Sequence, residues 1–147
     1  MASRAFSGQG TIIARADLAT PTVFETLAEI KSIAGPGGAS NMLDTTTLSS
    51  LAMEFVPGLK DNGEVSLGVN FVPGDAAQQQ MLDDQENQRM AIYKITYSDV
   101  KPTGGSTATF NGYVTNFAPS VGVNALSTAD VTIKVSGGVT WVYATLT

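Results

Sequence analysis

The feature that most constrains the fold is residues 63–71, GEVSLGVNF, in which apolar and polar side chains alternate strictly. A period of two places each set on its own face of a β-strand, so the segment predicts a strand with one buried face. Pro-Gly pairs at 57–58 and 73–74 bracket it and mark where the chain turns. The apolar face comprises Val65, Leu67, Val69 and Phe71, which predicts that Ser66 and Asn70 point the other way.

The same signal predicts most of the remaining chain to be strand. Further strands are expected over residues 10–15, 90–99, 106–118, 129–136 and 139–146. The Gly137-Gly138 pair is predicted to be a two-residue hairpin turn between the last two. Residues 22–33 fit strand or helix spacing, and strand is favoured.

One segment breaks the strand pattern. Residues 75–88 contain strong helix formers after Asp75, a good N-cap, and predict a single helix. The chain is therefore predicted to be mainly β, an antiparallel β-sandwich or barrel with one flanking α-helix. At 147 residues it is expected to form a single domain, spanning residues 1–147.

Two segments have little apolar content. Residues 35–50, GPGGASNMLDTTTLSS, open with Gly and Pro and continue with Ser and Thr, so they predict a long loop. Residues 1–10 are predicted to be a flexible N-terminal arm. Neither segment has the apolar content to order by itself, so we expect both to be mobile in the free monomer.

The composition argues against most catalytic chemistry. The chain has no His and no Cys, which removes the commonest general base, the commonest metal ligand and any thiolate nucleophile. Glu25 and Glu29 could be imagined as an acid and a base, but no aromatic-rich cleft is expected around them. The acidic cluster of Asp83, Asp84 and Glu86 lacks the register of a calcium loop and predicts a solvated helix face. We therefore expect no enzyme activity, no cofactor and no metal.

Charge and hydropathy narrow the choice of partners. The net charge is −5 and the basic residues are scattered singly, which argues against tight nucleic-acid binding through phosphate neutralisation. No apolar run approaches the roughly 20 residues that cross a bilayer, so we expect no membrane insertion by this chain. Charged residues make up only 14%, against about 25% in a typical domain. Such a surface suits burial against other subunits, and a Thr-rich β protein is an equally weighted alternative.

Five motifs follow one another along the chain from about residue 22 to its end. They are Gly-Pro after an Ile-rich strand (33–36), Asp-x-Thr (44–46), the block FVPGLKDNGEV (55–65), Phe-x-Gly-x-Val (110–114) and Ser-Gly (136–137). The block at 55–65 is moderately specific, and the others gain weight from their order. With this series the chain resembles the major tail tube proteins of lambda-like long-tailed (siphovirus) bacteriophages.

The resemblance implies a structural virion protein that polymerises as stacked hexameric rings. Adjacent subunits would join their sheets into a continuous inner β-barrel, through which double-stranded DNA passes without specific binding. The implied partners are other copies of the chain, the tape measure protein, the tail terminator and the tail-tip proteins. The implied location is the tail of the virion, after assembly in the bacterial host cytoplasm.

The resemblance also implies two sets of functional residues. If residues 22–33 form a strand that lines the lumen, Glu25 and Glu29 repeat around every ring. The lumen-facing candidates are Glu25, Glu29, Ser66 and Asn70. Candidates for contacts between subunits or rings lie in the long loop and the block after it: Pro36, Asn41, Met42, Leu43, Asp44, Thr45, Leu48, Phe55 and Leu59.

Two other functions remain open at this point. The inner tube protein of a contractile tail or secretion system would share the fold and be surrounded by a sheath. A stand-alone β-sandwich that binds glycans would use Trp141 and Tyr143 as its platform. An aromatic residue on a strand is more often part of the core, and we favour that interpretation of Trp141.

Overall fold

The chain is built mainly from antiparallel strands. The computed structural model describes residues 8–98 and 105–143, within which nine strands and one helix form. The strands are β1 (Ile12–Asp17), β2 (Glu25–Thr26), β3 (Ile30–Ala34), β4 (Ala39–Asp44), β5 (Phe55–Asp61), β6 (Glu64–Asn70), β7 (Met90–Thr96), β8 (Thr107–Ser120) and β9 (Thr128–Val142). The helix, α1 (Ala76–Asn87), lies between β6 and β7 in the chain.

Seven of the strands form one antiparallel sheet in the order β2-β1-β7-β8-β9-β6-β3. Its two outermost strands, β2 and β3, are separated in the chain by residues 27–29 alone. Such a link spans at most roughly 14 Å, so the two edges approach each other and the sheet curls into a half-barrel. Leu27 in this link is buried, and its N–H donates to the Ile13 carbonyl at 2.9 Å, which fixes the link against β1.

The inner face of the curled sheet carries the hydrophobic core. On β6, Val65, Leu67 and Val69 are at most 2% exposed, as their alternation predicts. Tyr93 of β7 stacks on Phe110 of β8 with ring centroids 5.8 Å apart. Burying each such side chain stabilises the fold by about 1.5–3 kcal/mol. Further core residues are Ile13, Ala77, Met81, Ala91, Ile95, Val114, Phe117, Ala129, Val131, Ile133 and Val135.

The helix predicted over residues 75–88 occupies Ala76–Asn87. Asp75 has the extended backbone conformation of an N-cap, and Gln88 has the left-handed conformation of a C-cap. Ala77 and Met81 enter the core, and the helix packs against β8. The helix therefore covers part of the inner face of the sheet.

A buried ion pair fastens α1 to β1. The Arg15 Nε donates to Asp84 Oδ2 at 2.6 Å, and the two side chains are 5% and 2% exposed. Arg15 Nη2 also lies 2.8 Å from Asp17 Oδ1. Burial works against the charge of Arg15, but hydrogen bonds and attraction from Asp84 and Asp17 outweigh it and raise the pKa of Arg15. The predicted solvated acidic face is therefore wrong for Asp84, whose side chain points into the protein.

The hairpin predicted at residues 137–138 is wrong, because β9 runs through both glycines and stays paired with β8. Phe110 of β8 pairs with Val139, whereas the next residue of β8 pairs with Ser136. The two glycines between them are extra residues and form a bulge. Gly137 has a φ of 81°, a left-handed conformation that favours glycine. A Gly-Gly pair supplies this freedom equally to a turn and to a bulge, so sequence alone did not separate the two.

The favoured interpretation predicts one strand over residues 22–33, and this prediction is wrong. They form β2 and most of β3, with a break between them at residues 27–29. Glu29 has a φ of 64°, a left-handed conformation that interrupts extended backbone. The irregular alternation of this segment reflects the break, since Leu27 enters the core while its neighbours are exposed.

Residues 35–50 are not a continuous loop, because β4 lies within them and pairs with β5 as a separate two-stranded sheet. Every residue of β4 is exposed. A strand with no buried face has no reason to alternate apolar and polar residues, so the usual pattern was missing. Residues 1–7 of the predicted arm, and residues 99 and 144–146 of the predicted strands, lie outside the described residues.

Candidate assembly surfaces

The β4–β5 hairpin, residues 39–61, carries a dense set of exposed apolar side chains. Leu48 and Leu51 at its tip are fully exposed, and Met53 and Leu59 are 69% and 91% exposed. On its strands, Met42, Leu43, Phe55 and Val56 are about half exposed. Contiguous apolar surface of this kind marks an interaction site, because contact with another chain would remove it from water.

All nine residues predicted to contact other subunits lie on this hairpin or directly before it. Pro36 precedes β4. The other eight belong to β4, to the tip and to β5, and they are Asn41, Met42, Leu43, Asp44, Thr45, Leu48, Phe55 and Leu59. The structure therefore gathers the predicted residues into one projection, and their contacts with other chains stay a prediction.

Hydrogen bonds give the hairpin tip, residues 45–54, a defined shape. The Asp44 carboxylate accepts the N–H of Thr46 at 2.9 Å, and hydrogen bonds from Thr46 lower the pKa of Asp44. The Thr45 N–H donates to the Glu54 carbonyl, and Ser50 Oγ donates to the Glu54 carboxylate, both at 2.8 Å. The tip thus holds its own backbone while its leucine side chains stay exposed.

An ion pair fastens the base of the hairpin to β9. The Lys134 Nζ lies 2.9 Å from Asp61 Oδ1, and the two side chains are 40% and 66% exposed. Hydrogen bonds from Lys134 and from the Gly63 N–H, with the charge of Lys134, lower the pKa of Asp61. Water screens this ion pair, so the pair orients the hairpin more than it stabilises the fold.

The chain segments entering and leaving the hairpin also touch through their backbones. A Cβ added to Gly63, which has a φ of 72°, would lie 1.9 Å from the carbonyl oxygen of Gly37. Beside it, the Asn62 side-chain amide donates to the Gly137 carbonyl at 2.6 Å. The bulge in β9 therefore presents a carbonyl that holds the hairpin base. Glycine at 63 permits the close approach that defines where the hairpin leaves the sheet.

From Ser66 to Asn70, the outward face of β6 and its neighbour β9 is lined by small polar side chains, and Glu64 and Lys134 continue this face toward the hairpin. Ser66 pairs with Thr132, and Asn70 pairs with Thr128. Asp130 lies between the two threonines on β9 and is exposed. Neighbouring strands thus place short hydroxyl, amide and carboxylate groups side by side, and none of these five residues offers a large apolar surface.

The structure divides the four lumen-facing candidates into two groups. Ser66 and Asn70 share the outward face of β6, and the Asn70 amide donates to the Glu29 carboxylate at 2.9 Å. Glu25 lies on β2, opposite Arg15 of β1, at the other edge of the sheet order. Because residues 22–33 are not one strand, Glu25 and Glu29 do not form the row predicted for them.

Three aromatic rings stack at the end of the sheet where β6 begins. The ring centroids of Tyr97 and Trp141 are 5.9 Å apart, and those of Trp141 and Tyr143 are 6.2 Å apart, with nearly parallel planes. Trp141 is 41% exposed, so the favoured interpretation of it as a core residue is wrong. The contribution of Tyr97 was missed because β8 separates β7 from β9, and no local pattern reports that proximity.

The connection between β8 and β9, residues 121–127, is a second exposed apolar segment. Val121, Val123 and Leu126 are 72%, 92% and 75% exposed. The segment lies at the end of the sheet where β6 ends, since the Phe71 N–H donates to the Ser127 carbonyl at 2.8 Å. The sequence pattern predicts no function for it. The available signal was the unusual apolar content of a connection that also contains Gly and Asn.

Residues 8–98 and 105–143 contain neither a metal-binding cluster nor a membrane-spanning helix. No group of three or more acidic side chains there is placed to hold a metal ion. Within the same ranges, no helix has both the length and the apolar character needed to span a membrane.

Comparison with known proteins gives a family and a fold. A family model described as phage tail tube, TTP, lambda-like matches residues 5–145. A chain from the virion of a native gene transfer agent particle is similar at a TM-score of 0.73 and 15% identity, with 94% of this chain and 99% of that chain covered. A chain of the SPP1 tail tube is similar at a TM-score of 0.73 and 14% identity, with 95% of this chain and 80% of that chain covered.

A third solved structure comes from a different kind of particle. A chain from the baseplate of the anti-feeding prophage is similar at a TM-score of 0.76 and 10% identity, with 99% of this chain and 100% of that chain covered. At such identities the likeness shows the fold alone. No curated protein sequence matches the chain significantly.

Proposed function

This chain belongs to the lambda-like family of phage tail tube proteins, and we propose that it builds the tube as stacked hexameric rings of identical subunits. The tail tube role is structural, and both family and fold support it. The six-fold ring is supported by a gene transfer agent tail of the same fold, determined by helical refinement with C6 symmetry. The observation that carries the proposal is the β4–β5 hairpin, an ordered apolar projection that packs on no core of its own subunit.

In this proposal, the hairpin and the residue before it contact neighbouring subunits or rings. The nine contact candidates named above supply the surface, with Leu48, Leu59 and Met42 as its most exposed apolar members. Fully burying such a side chain contributes about 1.5–3 kcal/mol. Because every subunit repeats the contact, a small gain per side chain suffices to hold a long polymer together.

The outward face of β6 and β9 is proposed to line the lumen. Ser66 and Asn70 lie there, with the carboxylates of Glu29 and Asp130 beside them. Carboxylates repel phosphates, and Lys134 on the same face is paired with Asp61, so double-stranded DNA would move past without being held. Glu25, at the other edge of the sheet, stays a lumen-facing candidate where sheets of adjacent subunits join into the inner barrel.

A tube of this kind needs different partners at its ends and inside. Solved structures of the same fold include a tube-terminating cap and a sheath/tube terminator. We therefore expect a tail terminator at one end of the tube, tail-tip proteins at the other and a tape measure protein in the lumen. Assembly is expected in the host cytoplasm, and the product is part of the virion. The function needs neither a cofactor nor catalysis.

The two alternatives are less well supported. The family model is that of lambda-like tails, so an inner tube of a contractile machine is not favoured, although the fold is shared with such machines. A glycan platform needs open aromatic faces. Trp141 and Tyr143 are 41% and 74% exposed, but the family and the fold are those of tail tubes, and neither supports a glycan-binding role.

Electron microscopy of the purified chain at high concentration tests the proposed function. We expect rings with a central hole, or tubes, from the wild-type chain. The double variant Leu48→Ser/Leu51→Ser is expected to stay folded and to form neither, whereas the control Leu48→Met/Leu51→Met keeps an apolar tip and assembles. A wild-type chain that remains monomeric and binds glycans would overturn the proposal.

A further inference from the structure

Resting on the tube function proposed above, we propose that the hairpin tip of one subunit binds residues 121–127 of a subunit in the next ring. The tip means residues 45–54, and the acceptor is the β8–β9 connection together with Val72 beside it. Both segments carry exposed apolar side chains. The proposal names the receptor for the hairpin, and the receptor is a second copy of this chain.

The tip and the acceptor belong to opposite ends of the sheet. β6 runs from Glu64, which pairs with Lys134, to Asn70, which pairs with Thr128. The hairpin joins the sheet at the Glu64 end, where Asp61 contacts Lys134. The connection 121–127 lies at the Asn70 end. The chain therefore exposes one apolar projection at each end of its sheet.

Stacking in one direction requires such an arrangement. When identical subunits are related by a rotation and a shift along one axis, each contact joins two different surfaces, one from each end of the subunit. The aromatic row cannot serve as this acceptor, because Trp141 pairs with Ala108 at the same end as the hairpin base. The acceptor has to come from the opposite end. The exposed apolar residues there are Leu18 and Val23 in the connection before β2, and Val72, Val121, Val123 and Leu126, and the last four form the larger group.

Charge supports the same pairing. No charged residue occurs between Asp44 and Glu54, and none occurs between Ala118 and Ala129. Removing a charge from water opposes binding, and two uncharged apolar surfaces meet without this cost. The carboxylates of Asp44 and Glu54 lie at the edges of the tip, where they stay hydrated and discourage contacts in other registers.

Chemical cross-linking between engineered cysteines tests the contact, because the natural chain has no Cys. The variant Ser49→Cys/Ser120→Cys places one thiol in the tip and one at the end of β8 next to the acceptor. Serine to cysteine replaces a single atom and leaves every apolar residue intact. Assembled tubes would be treated with a short bis-maleimide and separated under denaturing conditions. The matched control is Ser49→Cys/Ser136→Cys, whose second thiol is exposed on β9 near the hairpin base.

We expect a ladder of covalently joined chains from the first variant, because each subunit then links to one above and one below. The control is expected to show no ladder, and Ser49→Cys alone at most dimers. Tubes of the first variant that give no ladder would overturn the proposed contact while leaving the tube function in place. A ladder from the control variant, with none from the first variant, would also overturn the proposed contact. Failure of the wild-type chain to form rings or tubes would refute the tube function itself.

A second variant removes the acceptor without touching the hairpin. In Val123→Ser/Leu126→Ser we expect the melting temperature of the monomer to stay unchanged and the concentration needed for tube formation to rise by roughly tenfold or more. Single rings are expected to survive, since the contact joins rings and not neighbours within a ring. Tube formation at the wild-type concentration would count against the acceptor.

Discussion

The curled sheet and the β4–β5 hairpin use the same secondary structure under opposite conditions. Val65 and Leu67 of β6 are at most 2% exposed, whereas every residue of β4 is exposed. β6 lies between β3 and β9, whereas β4 has β5 alone beside it. An isolated two-stranded hairpin is marginally stable in water. The sheet therefore depends on its own core, and the hairpin depends on the hydrogen bonds of its tip, its anchored base and, in the proposed tube, other copies.

This difference teaches that one chain can separate folding from assembly. Substitutions in the sheet are expected to change the free energy of unfolding of the monomer. Substitutions in the hairpin are expected to change tube formation with little effect on the monomer. Results that mixed the two effects would break the comparison.

The largest expected effect on the sheet comes from Asp84→Ala. The substitution leaves the Arg15 guanidinium buried without its main partner, which costs about 3–5 kcal/mol of the free energy of unfolding. Urea denaturation followed by circular dichroism measures it. The control is Asp83→Ala, because Asp83 is half exposed, pairs with Arg89 and contributes about 1 kcal/mol or less. Equal losses from the two variants would show that the Arg15–Asp84 pair does not fasten the helix.

Leucine truncation compares the two regions directly. Leu67→Ala opens a cavity in the core and is expected to lower the free energy of unfolding by about 2–5 kcal/mol. Leu51→Ala removes a fully exposed side chain and is expected to change it by about 0.5 kcal/mol or less. Tube formation by electron microscopy, at a temperature where both variants are folded, should show the reverse order. A Leu51→Ala chain that forms tubes normally would remove Leu51 from the interface.

A smaller effect is expected at the base of the hairpin from Gly63→Ala. The new Cβ meets the Gly37 carbonyl oxygen, and the left-handed backbone is unfavourable for alanine, so the cost is about 1–3 kcal/mol. Hydrogen exchange should rise in the hairpin and stay unchanged in β7 and β8. Gly138→Ala is the control, because its Cβ would meet nothing within 4 Å. Unchanged exchange in the hairpin would mean that its base does not need this close approach.

The smallest effect is a change with pH at the same place. Lys134 and the Gly63 N–H lower the pKa of Asp61 in the folded chain. Because the pKa of Asp61 is lower in the folded chain than in the unfolded chain, its ionised form stabilises the fold. This stabilisation is fully present above the unfolded pKa of about 3.9 and is lost as the pH falls through the folded pKa. NMR shifts of the Lys134 side chain should therefore be constant at neutral pH and move only below about pH 4. In Asp61→Asn that movement should disappear, and if it persists, another carboxylate is responsible.

The sheet core was predictable where a segment has one buried face. Val65, Leu67 and Val69 alternate with polar residues because one side of β6 contacts the core and the other contacts water. The helix was predictable from its N-cap and composition. The burial of Asp84 was not, because its partner Arg15 lies on a strand far away in the chain and no local pattern connects them.

The assembly surfaces were harder to predict for a physical reason. β4 has no buried face in the monomer, so its sequence records constraints from contacts that a single chain does not contain. The contact candidates came from the resemblance to tail tube proteins, and the structure gathers them on one hairpin. The connection 121–127 was missed because apolar residues between strands are usually attributed to local packing. Only its exposure in the fold separates it from an ordinary turn.

The short link at residues 27–29 bears on how the free subunit survives before it is used. Outer strands of open sheets are the usual starting points of uncontrolled aggregation. Here the two outer strands are tied to each other, and Leu27 would have to leave the core before they could separate. The link therefore holds the two outer strands in place, and each keeps one unpaired side to which the sheet of a neighbouring subunit can add. In the proposed tube, these edges would join subunits within a ring, and the hairpin would join one ring to the next.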